Sequence, residues 1–394
     1  MRPPQRTWRG TLTLILCIVG AGLLPARLTA QNRATDWDRA GAAQYLDERM
    51  ELWFEKAKKL RTGETKTACV SCHMTVPYLL ARPALRRASH VSAPTAHELR
   101  ILDEAARRAE APDTHQPLYE HTESKKLESR GTEAVLNVLL LGGAEATSAR
   151  TRNHAAQLAF ARLWQTQRAD GAWDWLEFGL EPFETDAGVY FGATLAALAV
   201  GRAPAVAKDN AESERVGLEK LHAYLQAQFA AQSLFNQTWL LLASVRVPGL
   251  LNKTQRAALQ QELQRRQQSD GGWALATLGP WRWSKTAAPY RAPGTLDDAL
   301  LAQSDGVATG LIVYAMRQTG ASASQPAVAK GLAWLRAHQQ SVREDVQANA
   351  RAWPAWRAHS LNFDREHGGD KGEPWRRMFM SDLATALAVL ALLN

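Results

Sequence analysis

One seven-residue pattern occurs twice in the chain. Gln167-Arg168-Ala169-Asp170-Gly171-Ala172-Trp173 and Gln267-Gln268-Ser269-Asp270-Gly271-Gly272-Trp273 both read Q-x-x-D-G-x-W, 100 residues apart. Self-similarity at a fixed spacing is the mark of a repeat architecture and strongly limits the available folds. Each copy closes a segment with helical spacing, Ala155 to Gln165 and Gln255 to Arg266. Asp-Gly supplies a turn. The Gln side chain can bond the start of the next helix, and the Trp can stack on its neighbour. A third unit begins at Lys330-Gly331 and carries Trp334-Leu335 and Gln339, but its Gly-x-Trp end is degenerate around Trp353 and Trp356. A weaker fourth contains Gly217, Tyr224, Leu225 and Gln228. Between the units lie Ala/Leu-rich helices, from Thr185-Asp186 to Ala199, Ser304-Asp305 to Met316, and Ser381-Asp382 to Leu393. Thr or Ser followed by Asp reads as a helix start, because the side chains accept from orphan N–H groups and suit the dipole. Helices apolar nearly all round belong inside a larger helical assembly. The expected fold is therefore all-α, a ring of helical hairpins.

This pattern resembles the QW repeats of the squalene–hopene cyclase and prenyltransferase superfamily. The resemblance implies an (α/α)6 toroid over residues 126–394. The family chemistry does not follow. Class II terpene cyclases protonate their substrate with Asp-x-Asp-Asp, and no such string occurs; Asp297-Asp298 is a lone pair that reads as a helix start. Protein prenyltransferases bind zinc through a Cys, an Asp and a His, and thioester toroids use a Cys-Gln pair, yet residues 126–394 contain no Cys. An active cyclase or prenyltransferase is not expected.

Of three cysteines, two fall in Cys69-Val70-Ser71-Cys72-His73. C-x-x-C-H is the signature of covalent haem attachment. Two thiols add to the two haem vinyl groups, so they sit about one helical turn apart. The next residue then presents an imidazole to the iron from the same side. The candidate cofactor is one covalent haem c, held by Cys69 and Cys72 with His73 as proximal iron ligand. A thioredoxin-like pair would want a βαβ setting, a zinc site two further ligands, and a plain disulfide is open to an exported chain; none of these needs the histidine. The stretch from Cys69 to Tyr78, followed by Arg82-Pro83-Ala84-Leu85, is also similar to bacterial proteins that join a c-haem motif to cyclase-like repeats.

The sixth iron ligand stays open. Met74 adjoins the proximal histidine and cannot reach the opposite haem face; Met50 lies upstream, and the next methionine after Met74 is Met316. His90, His97, His115 and His121 are candidates, as is a five-coordinate iron. Glu181, Glu184 and Asp186 follow Trp173 and Trp175 and could line a cavity, the arrangement a toroidal glycosidase would need.

The N-terminus reads as a secretory signal peptide over residues 1–30. Arg2, Arg6 and Arg9 form the positive region, Leu12 to Leu24 the apolar run, and Leu28-Thr29-Ala30 the cleavage site. The run is short for a membrane span, so none is expected after cleavage; an uncleaved anchor is the alternative. Cys17 follows Leu16, where a lipoprotein would want a small residue. The formal charge is +8, and residues 1–30 carry four Arg and no acid, which leaves +4. No dense basic run with interleaved aromatics follows, which argues against nucleic-acid binding. The expected organisation is a signal peptide (1–30), a helical haem-binding region (31–125) and a toroid (126–394). Three functions compete. One is a periplasmic c-type cytochrome or haem oxidoreductase with a redox partner protein. Another is a toroid enzyme or a lipid- or carbohydrate-binding module holding a small molecule in its cavity, with accessory haem. The last is an envelope scaffold.

Overall fold

Ala- and Leu-rich runs, interrupted by capping residues, Gly and Pro, give twelve helices of ten or more residues among the described residues. The computed structural model describes residues 37–57, 70–111, 122–143, 150–203, 211–281, 298–343, 352–359, 361 and 378–394. The helices are α1 (Arg39–Ala57), α2 (Thr75–Ala88), α3 (Ala96–Glu110), α4 (Glu123–Leu141), α5 (Arg150–Gln165) and α6 (Gly188–Arg202). They continue as α7 (Ala211–Gln228), α8 (Leu234–Ala243), α9 (Lys253–Arg265), α10 (Gly306–Gln318), α11 (Pro326–Ala337) and α12 (Phe379–Leu393). One two-stranded antiparallel pair, β1 (Gln340–Arg343) and β2 (Ala352–Ala355), pairs Gln340 with Ala355 and Arg343 with Ala352. The chain is thus predominantly helical, as expected. The signal segment and Cys17 lie outside the described residues. Trp37–Asn394 form one unit by their contacts, and the expected boundary at 125/126 falls inside it, in the first turn of α4.

The even-numbered helices carry the core. α6, α10 and α12 are buried along almost their whole length, whereas α9 buries only Leu259 and Leu263. α2 packs on α4, α4 on α6, α6 on α8, α8 on α10, α10 on α12, and α12 back on α2. The odd-numbered helices pack outside this circuit: α1 on α2, α3 and α5 on α4, α7 on α6, α9 on α8 and α11 on α10. The apolar stretch Ala299–Gln318 is long enough to cross a membrane by composition. Its helix is broken between a short turn, Asp298–Leu301, and α10, and it is mostly buried against α8, α11 and α12.

The repeat motif acts as anchor and turn together. Gln167 Nε2 donates to Gly171 O and to Gly217 O of α7, and Gln267 Nε2 to Gly271 O and to Ala327 O of α11. Trp173 Nε1 donates to Leu163 O at 2.8 Å and Trp273 Nε1 to Leu263 O at 2.7 Å. Gly171 and Gly271 sit at φ +96° and +92°, where a side chain would be strained; a Cβ on Gly171 would also lie 2.2 Å from Lys220 O. The third unit obeys the same rule with a longer detour. Trp356 Nε1 donates to Leu335 O at 2.8 Å, because the β1–β2 pair replaces the tight turn and returns the chain. Gln339 Nε2 donates to Asp38 O and Pro354 O, and Asp38 N donates to Gln339 Oε1. The anchor glutamine of the last unit therefore holds the residue just before α1.

The three Thr/Ser-Asp starts resolve differently. Asp305 caps α10, accepting from Val307 N and Ala308 N. Asp186 accepts from Ala187 N, and α6 opens without a side-chain cap. Asp382 is not a start signal at all. α12 begins at Phe379, and Asp382 points inward to Tyr45 and Arg49.

Candidate functional site

Ser71, Cys72, His73 and Met74 form the turn that enters α2. Thr75 fixes it from the first residue of the helix: Ser71 N donates to Thr75 Oγ1 at 2.7 Å, and Thr75 Oγ1 donates to Ser71 O at 3.0 Å. Pro77 and Pro83 lie within α2. Pro77 sits in the first turn, where a missing N–H costs nothing. Cys72 is 9 % exposed, and its Sγ lies 3.7 Å from His73 Nδ1. The His73 ring packs against Phe379 of α12, with centroids 4.1 Å apart, and edge-on to Trp53 of α1 at 6.1 Å. The segment that carries the motif is therefore gripped by α1 and α12.

Behind those rings lies a buried ion pair. Arg49, one turn before Trp53, donates through Nε to Asp382 Oδ1 at 2.8 Å and through Nη2 to Oδ2 at 2.9 Å. Tyr45 OH donates to Asp382 Oδ1 at 2.6 Å. All three side chains are at most 3 % exposed. Burial, reinforced by the Asp382 carboxylate, pushes the Tyr45 phenol well above its ordinary pKa, so it stays a donor. A bidentate Arg–carboxylate pair fixes orientation as well as distance, so α1 and α12 meet in one register beside His73.

The described donors are part of the set a c-type haem uses. Ser71 Oγ lies 3.1 Å from His73 Nδ1 and accepts from the His73 backbone N–H at 3.3 Å. With Nδ1 protonated and donating to that oxygen, Nε2 keeps its lone pair, which is the tautomer an iron ligand needs. The Nε2 atom itself is buried. A c-type haem attachment needs two thiols and an imidazole; Cys72 and His73 supply one thiol and the imidazole, with the rings of Trp53 and Phe379 beside the latter. Cys69, His115 and His121 lie outside the described residues.

The other expected ligands are dispersed. His90 is exposed past the end of α2, with φ +58°, and the helix puts it about 20 Å from His73 by its rise. His97 pairs with Glu51 at 3.2 Å and stacks on Phe54 at 6.4 Å. Met50 is buried one turn before Trp53, Met74 is buried beside the motif, and Met316 is buried in α10. Glu181 is buried and accepts from Thr185 Oγ1 at 3.5 Å, Glu184 closes a main-chain bridge with Leu180, and Asp186 is exposed. Asp298 opens a four-residue helical turn, and Asp297 lies outside the described residues.

Trp53, Phe379 and the Arg49–Asp382 pair are absent from any reading of the motif alone. Nothing in the sequence ties Trp53 or Phe379 to His73. Among the described residues no group of three or more His, Cys, Asp or Glu converges to hold a metal ion. No protein-family model matches the chain, and no curated protein is significantly similar to it.

Proposed function

We propose that this chain is an exported c-type cytochrome-like protein, with residues 1–30 as signal peptide and one covalent haem c on Cys69, Cys72 and His73. Its role is haem-based electron transfer or a related redox function outside the cytoplasm, with a redox protein as partner. The observation that carries this reading is the C-x-x-C-H segment itself, set at the entry of α2 with Ser71 placed to fix the His73 ring. When bound, the haem supplies one-electron chemistry. The residues of the chain do the rest: Cys69 and Cys72 tether, His73 ligates, Ser71 sets the tautomer, and Trp53 with Phe379 keep water from the imidazole.

The scaffold in this reading is an (α/α)6 toroid. The run of packing from α2 through α4, α6, α8, α10 and α12 back to α2 supports it, as does the reach of Gln339 to Asp38. In this reading the ring takes in α1 to α3 of the haem-binding segment as well as the helices of residues 126–394.

The test is expression of the full chain in a host that matures c-type haem. A haem spectrum that survives denaturation and disappears in Cys69→Ala/Cys72→Ala is the expected result. A mature, folded protein without covalent haem would overturn the proposal and leave the two cysteines as a disulfide.

A further inference from the structure

A cavity of about 180 Å³ lies between α2, α3 and α4. Its walls are Val76, Leu79 and Leu80 of α2, Leu102 of α3, and Leu139 and Leu140 of α4. All six are aliphatic; Val76, Leu102, Leu139 and Leu140 are buried, and Leu79 and Leu80 are half-buried. The cavity is too small for a haem, since pockets for ligands of even drug size begin at roughly 300 Å³. It is slightly larger than the roughly 150 Å³ apolar cavity that accepts benzene, which suits a chain of about six to eight carbons.

The charges at its border are already engaged. The Glu98 carboxylate is 3.3 Å from Arg86 Nε and accepts from Thr95 N in the cap of α3. Arg87, in the last turn of α2, and Arg202, the last residue of α6, are exposed at the border, and each has an interaction of its own within the fold. A charged ligand would have to displace one of those interactions and shed its own hydration, and burying an unmatched charge is heavily penalised. An uncharged molecule displaces none of them. The aliphatic wall takes its tail, and a hydroxyl can stay in water at the exposed border.

We propose that this cavity binds a neutral medium-chain lipophile, of about six to eight carbons and without a charged group, for which 1-octanol is the model. Its chain lies between α2, α3 and α4, and burial of that chain drives binding. The border at Arg87 is about 20 Å along α2 from His73 by helical rise. The site is therefore separate from the C-x-x-C-H segment, and the proposal stands whether or not the chain carries haem.

The experiment is calorimetric titration of the purified full-length mature chain with the straight-chain alcohols from 1-butanol to 1-decanol. Adsorption on apolar surface in general strengthens about fourfold per added methylene along the whole series. A closed wall stops that gain, so affinity is expected to rise to about 1-octanol and level off there. Leu80→Trp, which fills the cavity from a half-buried position, is expected to weaken 1-octanol at least tenfold. Leu79→Ala shortens the wall and is expected to move the plateau to a longer alcohol; it carries the test alone if circular dichroism shows the tryptophan variant unfolded. Failure of the wild type to bind 1-octanol would overturn the proposal, as would a gain that continues unbroken to 1-decanol or a plateau that neither variant moves. Octanoate is expected to bind more weakly than 1-octanol, and the reverse order would overturn the assignment of an uncharged ligand.

Discussion

Asp305 is buried at the head of α10, where its carboxylate accepts from the N–H groups of Val307, Ala308 and Leu275. Burial pushes its pKa up to about 6, and those donors only partly oppose it. The folded state therefore holds this proton more tightly than the unfolded chain does. The contribution to stability is full below the ordinary carboxylate range and is lost as pH rises through about 6. Two pKa units correspond to about 3 kcal/mol. Urea melts at pH 4.5 and 7.5 should show the wild type losing about 2 kcal/mol more than Asp305→Asn over that interval, because part of the linkage is already lost at pH 4.5; an equal change in both proteins would refute it. Asp382 is tested by charge removal instead. It is ion-paired, and Asp382→Asn leaves Arg49 as an uncompensated buried cation, which should cost about 3–5 kcal/mol. The double change Arg49→Met/Asp382→Leu should recover most of that loss, and chemical denaturation of both variants decides it. In sequence the two residues look alike, each an Asp after Ser ahead of an apolar run. One became a cap and the other an ion pair because α12 starts two residues earlier than its Ser-Asp pair suggests. What lies opposite a side chain is tertiary information, and no local pattern holds it.

At the scale of elements, the glutamine–tryptophan anchor was legible because both of its ends are local. Trp273 reaches back ten residues to Leu263 O, and the glycine turn sits between. The partner of the glutamine was not legible: the start of the next helix was expected, and Gln267 instead passes over α10 to meet Ala327 O in the first turn of α11, as Gln167 passes over α6 to meet Gly217 O of α7. Gln267→Ala removes two hydrogen bonds to backbone carbonyls, and a loss of about 1–3 kcal/mol is expected. Trp273→Phe keeps most of the packing and should cost about 1–2 kcal/mol through the orphaned carbonyl. Trp273→Ala should cost about 3–5 kcal/mol. If thermal melts rank the alanine variant as no worse than the phenylalanine one, the tryptophan is not a core anchor. The third unit escaped the pattern because seventeen positions separate Gln339 from Trp356, against six in the intact copies. The hydrogen bond was kept while the spacing was not, so a search for fixed spacing misses it. The motif at His73 was legible for the same local reason, whereas its walls were not, since they come from α1 and α12.

For the whole molecule, the consequential contact is the one between the last helix and the second. In an open helical array each unit touches only its neighbours, so removing the last one leaves the first ones folded. Here α12 packs on α2 and α1 as well as on α10. Phe379 touches His73, and Asp382 satisfies Arg49 and Tyr45. Ending the chain after residue 377 would strip these partners from the segment that carries the haem motif. The effect should therefore appear far away in sequence and close in space. Hydrogen exchange on the truncated protein should show α1, α2 and α10 losing protection, while α6 to α8, which lie across the circuit from α12, keep most of theirs. Phe379→Ala is the milder form of the same experiment. It opens a cavity beside His73 at a cost of about 3–5 kcal/mol without removing the ion pair, and should loosen the entry of α2 more than any helix on the far side. Protection confined to its wild-type pattern in α1 and α2 after truncation would mean that the first helices stand without the last. The circuit would then be a chain of neighbours whose ends happen to meet. Loss concentrated there would mean that the grip on His73 depends on closure, which gives the large helical scaffold a physical role in shaping a five-residue motif.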